Sequence, residues 1–166
     1  MASITPGPGN TGPSSAPAPS PTTAEPIPTP SPTQSEPACS KFEKMSDREF
    51  KLLAKNPYEH LGKCYRIYGY VTQADSATGS LSVRANACGE KHQPTYGFIS
   101  DCDTNSFFTE LGGGDGESGI DNIVDGDAFE ADVEVGVPYT YTTTLGGQMT
   151  APKFHLHKIT KYATTK

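Results

Sequence analysis

The sequence predicts a small, mainly β domain of five strands with one short helix, carried behind a disordered tether. Three observations predict it. Composition breaks sharply near residue 38, apolar and polar residues alternate with period two beyond the break, and Gly69 interrupts the first alternating segment.

The tether comes first. Residues 1–38 hold eleven of the fifteen prolines, two acids (Glu25 and Glu36) and no aromatic or basic residue. Such a stretch has too little apolar surface to offset the entropy of ordering it. Its Thr-Pro and Ser-Pro steps favour extended polyproline conformation, with a reach of roughly 3 Å per residue. The Ser/Thr/Pro mixture suits O-glycosylation and a plain spacer equally. Residues 39–166 hold all fifteen aromatics and every lysine and arginine, enough chain for one hydrophobic core.

The helix is read over residues 47–55. Ser46-Asp47-Arg48-Glu49 forms a capping box, Met45 and Phe50 fall at the positions of a hydrophobic staple, and Asn56-Pro57 ends the helix. The first strand, 64–72, sets Tyr65, Ile67 and Val71 on one side and Arg66, Tyr68 and Tyr70 on the other. Gly69 marks a bend or bulge within it. A turn over 75–79 leads to a returning strand with Leu81, Val83 and Ala85 alternating, and residues 96–100 read as a short third strand. Residues 101–122, rich in glycine and acid, read as loop or short helix. In the fourth strand Phe129, Ala131, Val133, Val135 and Val137 point one way, with Glu130, Asp132 and Glu134 opposite. A hairpin turn at Leu145-Gly146-Gly147 then gives the last strand, 154–162. Five strands with a glycine inside the first predict a small, partly open barrel of the OB type over 39–166. An immunoglobulin-like sandwich would need about seven strands and a buried tryptophan, and the chain has no tryptophan.

Charge and cysteines bound the setting. The net charge is −6, no lysine or arginine lies between Lys91 and Lys153, and eleven acids lie between Asp101 and Glu134. That segment repels phosphate, so no nucleic acid is expected as partner. Four cysteines with spacings of 25, 24 and 14 residues include no Cys-x-x-Cys pair and match no zinc pattern. Disulfides, and with them an oxidising extracytoplasmic compartment, are the expectation. No apolar run is long enough to span a membrane. Export then implies a removed leader, with membrane attachment only through a removed lipid anchor. The expected pairs are Cys88–Cys102, closing the loop between the second and third strands, and Cys39–Cys64, pinning the tether's end to the first strand. The competing pairing, Cys39–Cys102 with Cys64–Cys88, requires the tether's end to reach the acidic segment.

Asn56-Pro57, His60, Gly62, Gly69, the run Val71-Thr72-Gln73 with Asp75-Ser76-Ala77-Thr78-Gly79, and Arg84-Ala85 resemble a family of actinobacterial and actinobacteriophage exported or lipoprotein-like proteins. Gly126-Asp127, Gly146-Gly147 and Pro152-Lys153 fit the same pattern, which covers residues 48–162. The arrangement is also similar, more distantly, to the OB-type domains grouped with tRNA-anticodon-binding proteins. The resemblance implies an OB-type barrel in a cell-envelope setting, including a phage-encoded lipoprotein acting in superinfection exclusion. It brings no activity, and the four cysteines are not part of its pattern.

The chain carries no Gly-x-Ser-x-Gly elbow, and Gly112-Gly113-Gly114-Asp115-Gly116 lacks the lysine of a phosphate-binding loop. The expectation is therefore a non-enzymatic, monomeric binding module with no cofactor, whose partner is an envelope or surface protein. Arg66, Tyr68 and Tyr70 form its best-motivated face, since exposed tyrosine and arginine are favoured in interface hot spots. The same three residues suit base stacking in the alternative, a single-stranded nucleic-acid module, and the tyrosines serve as core if the barrel closes over them. Asp101, Asp103 and Asn105 reproduce the opening of an EF-hand calcium loop, with Asp115, Glu117 and Asp121 as further oxygen donors. Ser106 and Gly112 break the pattern at its sixth and twelfth positions, so a solvated acidic loop outweighs the metal. His155 and His157 share a strand face without an assigned third ligand, His92 included, and His60 fits a hydrogen bond at the helix-to-strand corner.

Overall fold

The computed structural model describes Gly7, Gly9, Gly12, Pro13 and residues 39–111 and 118–165. Apart from those first four residues, the tether lies outside the described residues, as do Asp115, Glu117 and the run 112–116. The chain divides into two units, Met1–Gln34 and Ser35–Lys166, and the helices and strands among the described residues lie in the second.

Its elements are β1 (Glu43–Lys44), α1 (Asp47–Lys55), β2 (Cys64–Gln73), β3 (Ser82–Cys88), β4 (Thr104–Glu110), β5 (Asp127–Thr142) and β6 (Gln148–Thr164). The fold is mainly β, with one α-helix and one sheet in the order β1-β2-β3-β4-β6-β5. β5 returns to pair with β2, so the hydrogen bonds close into a ring. The β1–β2 and β4–β6 pairs are parallel and the others antiparallel.

The helix forms where the capping box predicts. Glu49 N donates to Ser46 Oγ at 3.3 Å, and Ser46 N donates to Glu49 Oε2 at 2.7 Å. Two otherwise unpaired amides of the first turn are thereby satisfied. Phe50 and Leu53 are fully buried and carry the helix onto the ring, Phe50 stacking on Phe154 at 6.0 Å between ring centres. Phe108 sits edge-on to Phe129 at 5.2 Å and lies 5.3 Å from Phe154, completing an aromatic core with Ile67, Val71 and Val133. Burying each such side chain stabilises the fold by about 1.5–3 kcal/mol.

Three expectations are corrected. The sheet has six strands, because two residues, Glu43–Lys44, add to β2 alongside Tyr65 and Arg66. A pair that short has no periodicity to read. The third strand is not 96–100, where Tyr96 and Phe98 are exposed and Thr95 bridges Phe98 around Gly97. It is Thr104–Glu110, inside the segment read as loop. There Ser106, Phe108 and Glu110 face inward, so the buried face is two-thirds polar and its alternation is disguised. Finally, Val137 leaves the inward row of β5. A register shift between Gly136 and Tyr139 swings it out to 61 % exposure, as an extra residue in one strand does.

A second, smaller core lies outside the ring. The Cys88–Cys102 disulfide closes the segment after β3 and packs with Tyr68, Ile99 and Ala128, while Cys39 is bonded to Cys64 at the start of β2. The first turn of α1 holds the same segment. Asp47 accepts from the Gly89 and Glu90 amides at 3.0 and 2.9 Å and meets His92 Nε2 at 2.7 Å. Tyr162 on β6 donates to the His92 carbonyl at 2.9 Å. Two disulfides fit an oxidising, extracytoplasmic location. Among the described residues no helix is long and apolar enough to cross a membrane.

Candidate functional site

Arg66, Tyr68 and Tyr70 do project together from the outer face of β2, but each is engaged by the fold. Arg66 Nε and Nη2 donate side-on to Asp132 at 2.7 and 2.9 Å, with Glu130 3.6 Å away. Those hydrogen bonds hold the guanidinium even more firmly protonated than usual. The register explains the pair, since Arg66 lies directly across from Asp132 on β5. Tyr68 is buried in the second core, and burial raises its pKa. Tyr70 accepts from Asn86 Nδ2 at 2.9 Å. The cavity beside Arg66 measures about 70 Å³.

Asp101, Asp103 and Asn105 are directed to separate tasks. Asp101 is exposed at φ 67°, Asp103 pairs with Lys51 at 3.6 Å, and Asn105, already on β4, donates to the Tyr141 hydroxyl at 3.1 Å. His155 and His157 both face outward on β6. His157 Nε2 is buried without a hydrogen bond, 3.7 Å from Glu134 Oε2 and close to Cys39. Asp47, His92 and Cys88 make a second such cluster. Both clusters include a half-cystine, whose sulfur is not the thiolate a metal requires. His60 Nδ1 meets the Tyr65 hydroxyl at 3.1 Å at the corner leading into β2.

Among the described residues, two larger grooves lie elsewhere on the surface. One, of about 380 Å³, lies between the 74–81 connection and the segment 120–123, with Asp75 and Asp121 on its rim. The other, of about 480 Å³, is built from chemistry that converges from five strands. Arg84 on β3 forms its floor. The guanidinium carbon lies 5.2 Å from the Phe107 ring centre and 5.5 Å from that of Tyr141, within the range in which a ring face attracts a cation. Phe107 arrives from β4, turned outward by the alternation that turns Phe108 inward. It contacts Tyr139 at 4.5 Å and Tyr141 at 5.9 Å. Tyr139 and Tyr141 lie two apart on β5, hence on one face, and stack on one another at 6.1 Å with ring planes 18° apart. The β5–β6 hairpin positions them by continuing its pairing, Tyr139 with Ala151 and Tyr141 with Met149. Lys153 on β6 lies beside Phe107 in register, and Gln73, Thr78, Ser82 and Thr109 complete a polar rim.

The electrostatics of this groove are unusual for an acidic chain. Arg84 donates from Nη1 to Gln73 Oε1 at 3.3 Å, while its Nε is buried with no hydrogen-bond partner. Among the described residues no carboxylate forms an ion pair with Arg84 or Lys153. The groove thus offers aromatic faces, hydroxyl groups bonded within the fold (Ser82 to Thr109, Thr78 to Asp75), and an arginine whose Nε meets no partner among the described residues.

Sequence reading missed this site. Phe107 was hidden by the loop assignment of its segment, and Arg84 looked like any outward residue of a short strand. The available signal was Tyr139 and Tyr141, two aromatics spaced for one face at the end of a strand. A scan against protein-family models and a search of curated proteins return no match for the chain.

Proposed function

We propose that the chain is a non-enzymatic binding module acting outside the cytoplasm, a barrel of the OB type whose ligand seat is the groove around Arg84. One observation carries the reading: an arginine packed between two aromatic rings, with a buried donor unpaired and no ion-paired carboxylate among the described residues. Leaving a desolvated donor of a charged group unmet costs free energy that a ligand recovers on binding.

The OB assignment draws support from the ring order β2-β3-β4-β6-β5 closing on β2. It also draws on the groove's place, over β3 and β4 between the first connection and the last hairpin, where such barrels take ligands. The two disulfides support the extracytoplasmic setting, and the family of exported actinobacterial and phage proteins, with its superinfection-exclusion lipoproteins, belongs to the same proposal. Aromatic rings alone would equally receive a single nucleic-acid strand. Against that stand the 61 consecutive residues, 92–152, without lysine or arginine, since neutralised phosphates supply most of such affinity.

The test is co-sedimentation of the full chain with isolated cell envelopes. Arg84→Ala and Tyr139→Ala should abolish it at unchanged thermal stability, and Arg66→Ala, where the protein stays folded, should leave it intact. Retention by both groove variants, with loss only in Arg66→Ala or Tyr70→Ala, overturns the reading.

A further inference from the structure

We propose that the groove around Arg84 seats a carboxylated sugar, one uronate-type carboxylate within an otherwise uncharged oligosaccharide. The inference rests on the reading of this groove as the ligand seat and gives that ligand a chemistry.

The anion comes from the arginine. Nε and Nη2 are the two parallel donors of a guanidinium fork, and neither makes a hydrogen bond among the described residues; Nε has almost no accessible surface, so a ligand oxygen reaches it as a neighbouring side chain moves aside. A planar carboxylate matches that fork with both oxygens. The contrast with Arg66 is instructive, because there Asp132 fills the same side-on fork.

The number of charges comes from the surroundings. Among the described residues Lys153 is the one other cation lining the groove, so the site offers one anion seat and no track of cations. A single nucleic-acid strand needs such a track along its backbone.

The sugar comes from what surrounds the anion. Tyr139 is 46 % exposed and nearly parallel to Tyr141, and an exposed ring of this kind takes the C–H face of a pyranose. Ser82, Thr109, Thr78 and Gln73 carry groups that both donate and accept; Ser82 bonds Thr109, and Thr78 and Gln73 bond Asp75, so a sugar hydroxyl would join or exchange with those bonds. A peptide would instead seek an open strand edge for its main chain. β3 is paired to β2 and β4, and β4 to β3 and β6, so the groove floor offers no such edge.

The experiment is a titration of the isotope-labelled full chain followed by NMR. The probes are an aldotetraouronic acid (one glucuronate on neutral xyloses), its methyl ester, and an octathymidylate. The acid should shift the Arg84 Nε–H resonance and the amides of Ser82, Phe107 and Thr109. The ester, which keeps the rings and loses the charge, should bind about tenfold or more weakly. Arg84→Lys should lose the same factor, because lysine keeps the charge without the fork, and Tyr139→Ala should weaken acid and ester alike. Equal binding of acid and ester, tighter groove binding of the octathymidylate, or no groove shift with the sugars overturns the inference. The groove itself remains the ligand seat in those cases if envelope binding still depends on Arg84, and both readings fall if it does not.

Discussion

Replacing Gly69 by alanine tests whether the ring is drawn as tightly as the pairing implies. Gly69 lies in β2 with Ala87 of β3 on one side and Phe129 of β5 on the other, in the middle of the ladders that close the ring. A methyl group built there would stand 2.5 Å from the Asn86 carbonyl oxygen, 3.0 Å from Phe129 Cζ and 3.1 Å from Ala87 Cα. The phenyl tip can turn aside, but the carbonyl belongs to the neighbouring backbone and sits roughly 1 Å inside an ordinary contact. Relief requires β3 to move, which loosens ladder hydrogen bonds worth about 1 kcal/mol each net on top of an overpacking cost of about 1–3 kcal/mol. We expect Gly69→Ala to lower stability by about 3 kcal/mol, a large share of the 5–15 kcal/mol typical of a domain. Gly146→Ala is the control. Its φ is +83° but the space around it is open, so only the left-handed conformation costs, about 1–2 kcal/mol. Urea unfolding followed by circular dichroism gives both values, and the reasoning fails if Gly69→Ala costs no more than Gly146→Ala.

Two further outcomes are expected of the same structure. The Cys88–Cys102 and Cys39–Cys64 bonds span 14 and 25 residues, so chain entropy alone gives roughly 3 and 3.5 kcal/mol. Cys88 and Cys102 are 1 % exposed, and emptying their sulfur volume adds about 1–2 kcal/mol. The Cys88→Ala/Cys102→Ala chain should therefore unfold at lower urea than Cys39→Ala/Cys64→Ala, and the reverse order would refute the second core. Stability should also fall in mild acid. Burial, then the charge of Lys153, holds the His155 pKa below the usual imidazole value, with Glu134 opposing and His157 adding to the shift. The unfolded chain then takes up the proton first, so this contribution is complete above about pH 6.5 and is lost as pH falls towards the folded value. His155→Gln should flatten the dependence of the unfolding midpoint just below neutrality, and an unchanged slope would show another group to be responsible.

Local chemistry was legible in the sequence and long-range register was not. The helix could be bounded because Ser46, Glu49 and Pro57 act on their own neighbours. The inward row from Phe129 to Val135 could be read because its period is regular over one burial face. The same reasoning failed at Thr104–Glu110, where Ser106 and Glu110 occupy inward positions, and at Val137, where a register shift reverses the face. Arg66 could be placed on the outside of β2, but Asp132, its partner, is 66 residues away and is brought there only by closure of the ring. The groove was the least legible feature of all. Arg84, Phe107, Tyr139 and Lys153 lie on four strands and have no common spacing, so only their convergence makes them a site.

The bond between Cys39 and Cys64 also decides where mechanical load enters the domain. Tension arriving from residues before Cys39 crosses the sulfur bridge directly to the first residue of β2, a strand held on both sides within the ring. β1 and α1 lie inside the bridged loop and carry none of that tension. Their capping box and staple can therefore be modest, because they never stand in series with the pull. Breaking the bridge would place the 25-residue stretch in the load path, lengthening the extended chain by about 85 Å at roughly 3.4 Å per residue. β1 would then be peeled from β2 first, and the helix that covers the core would follow.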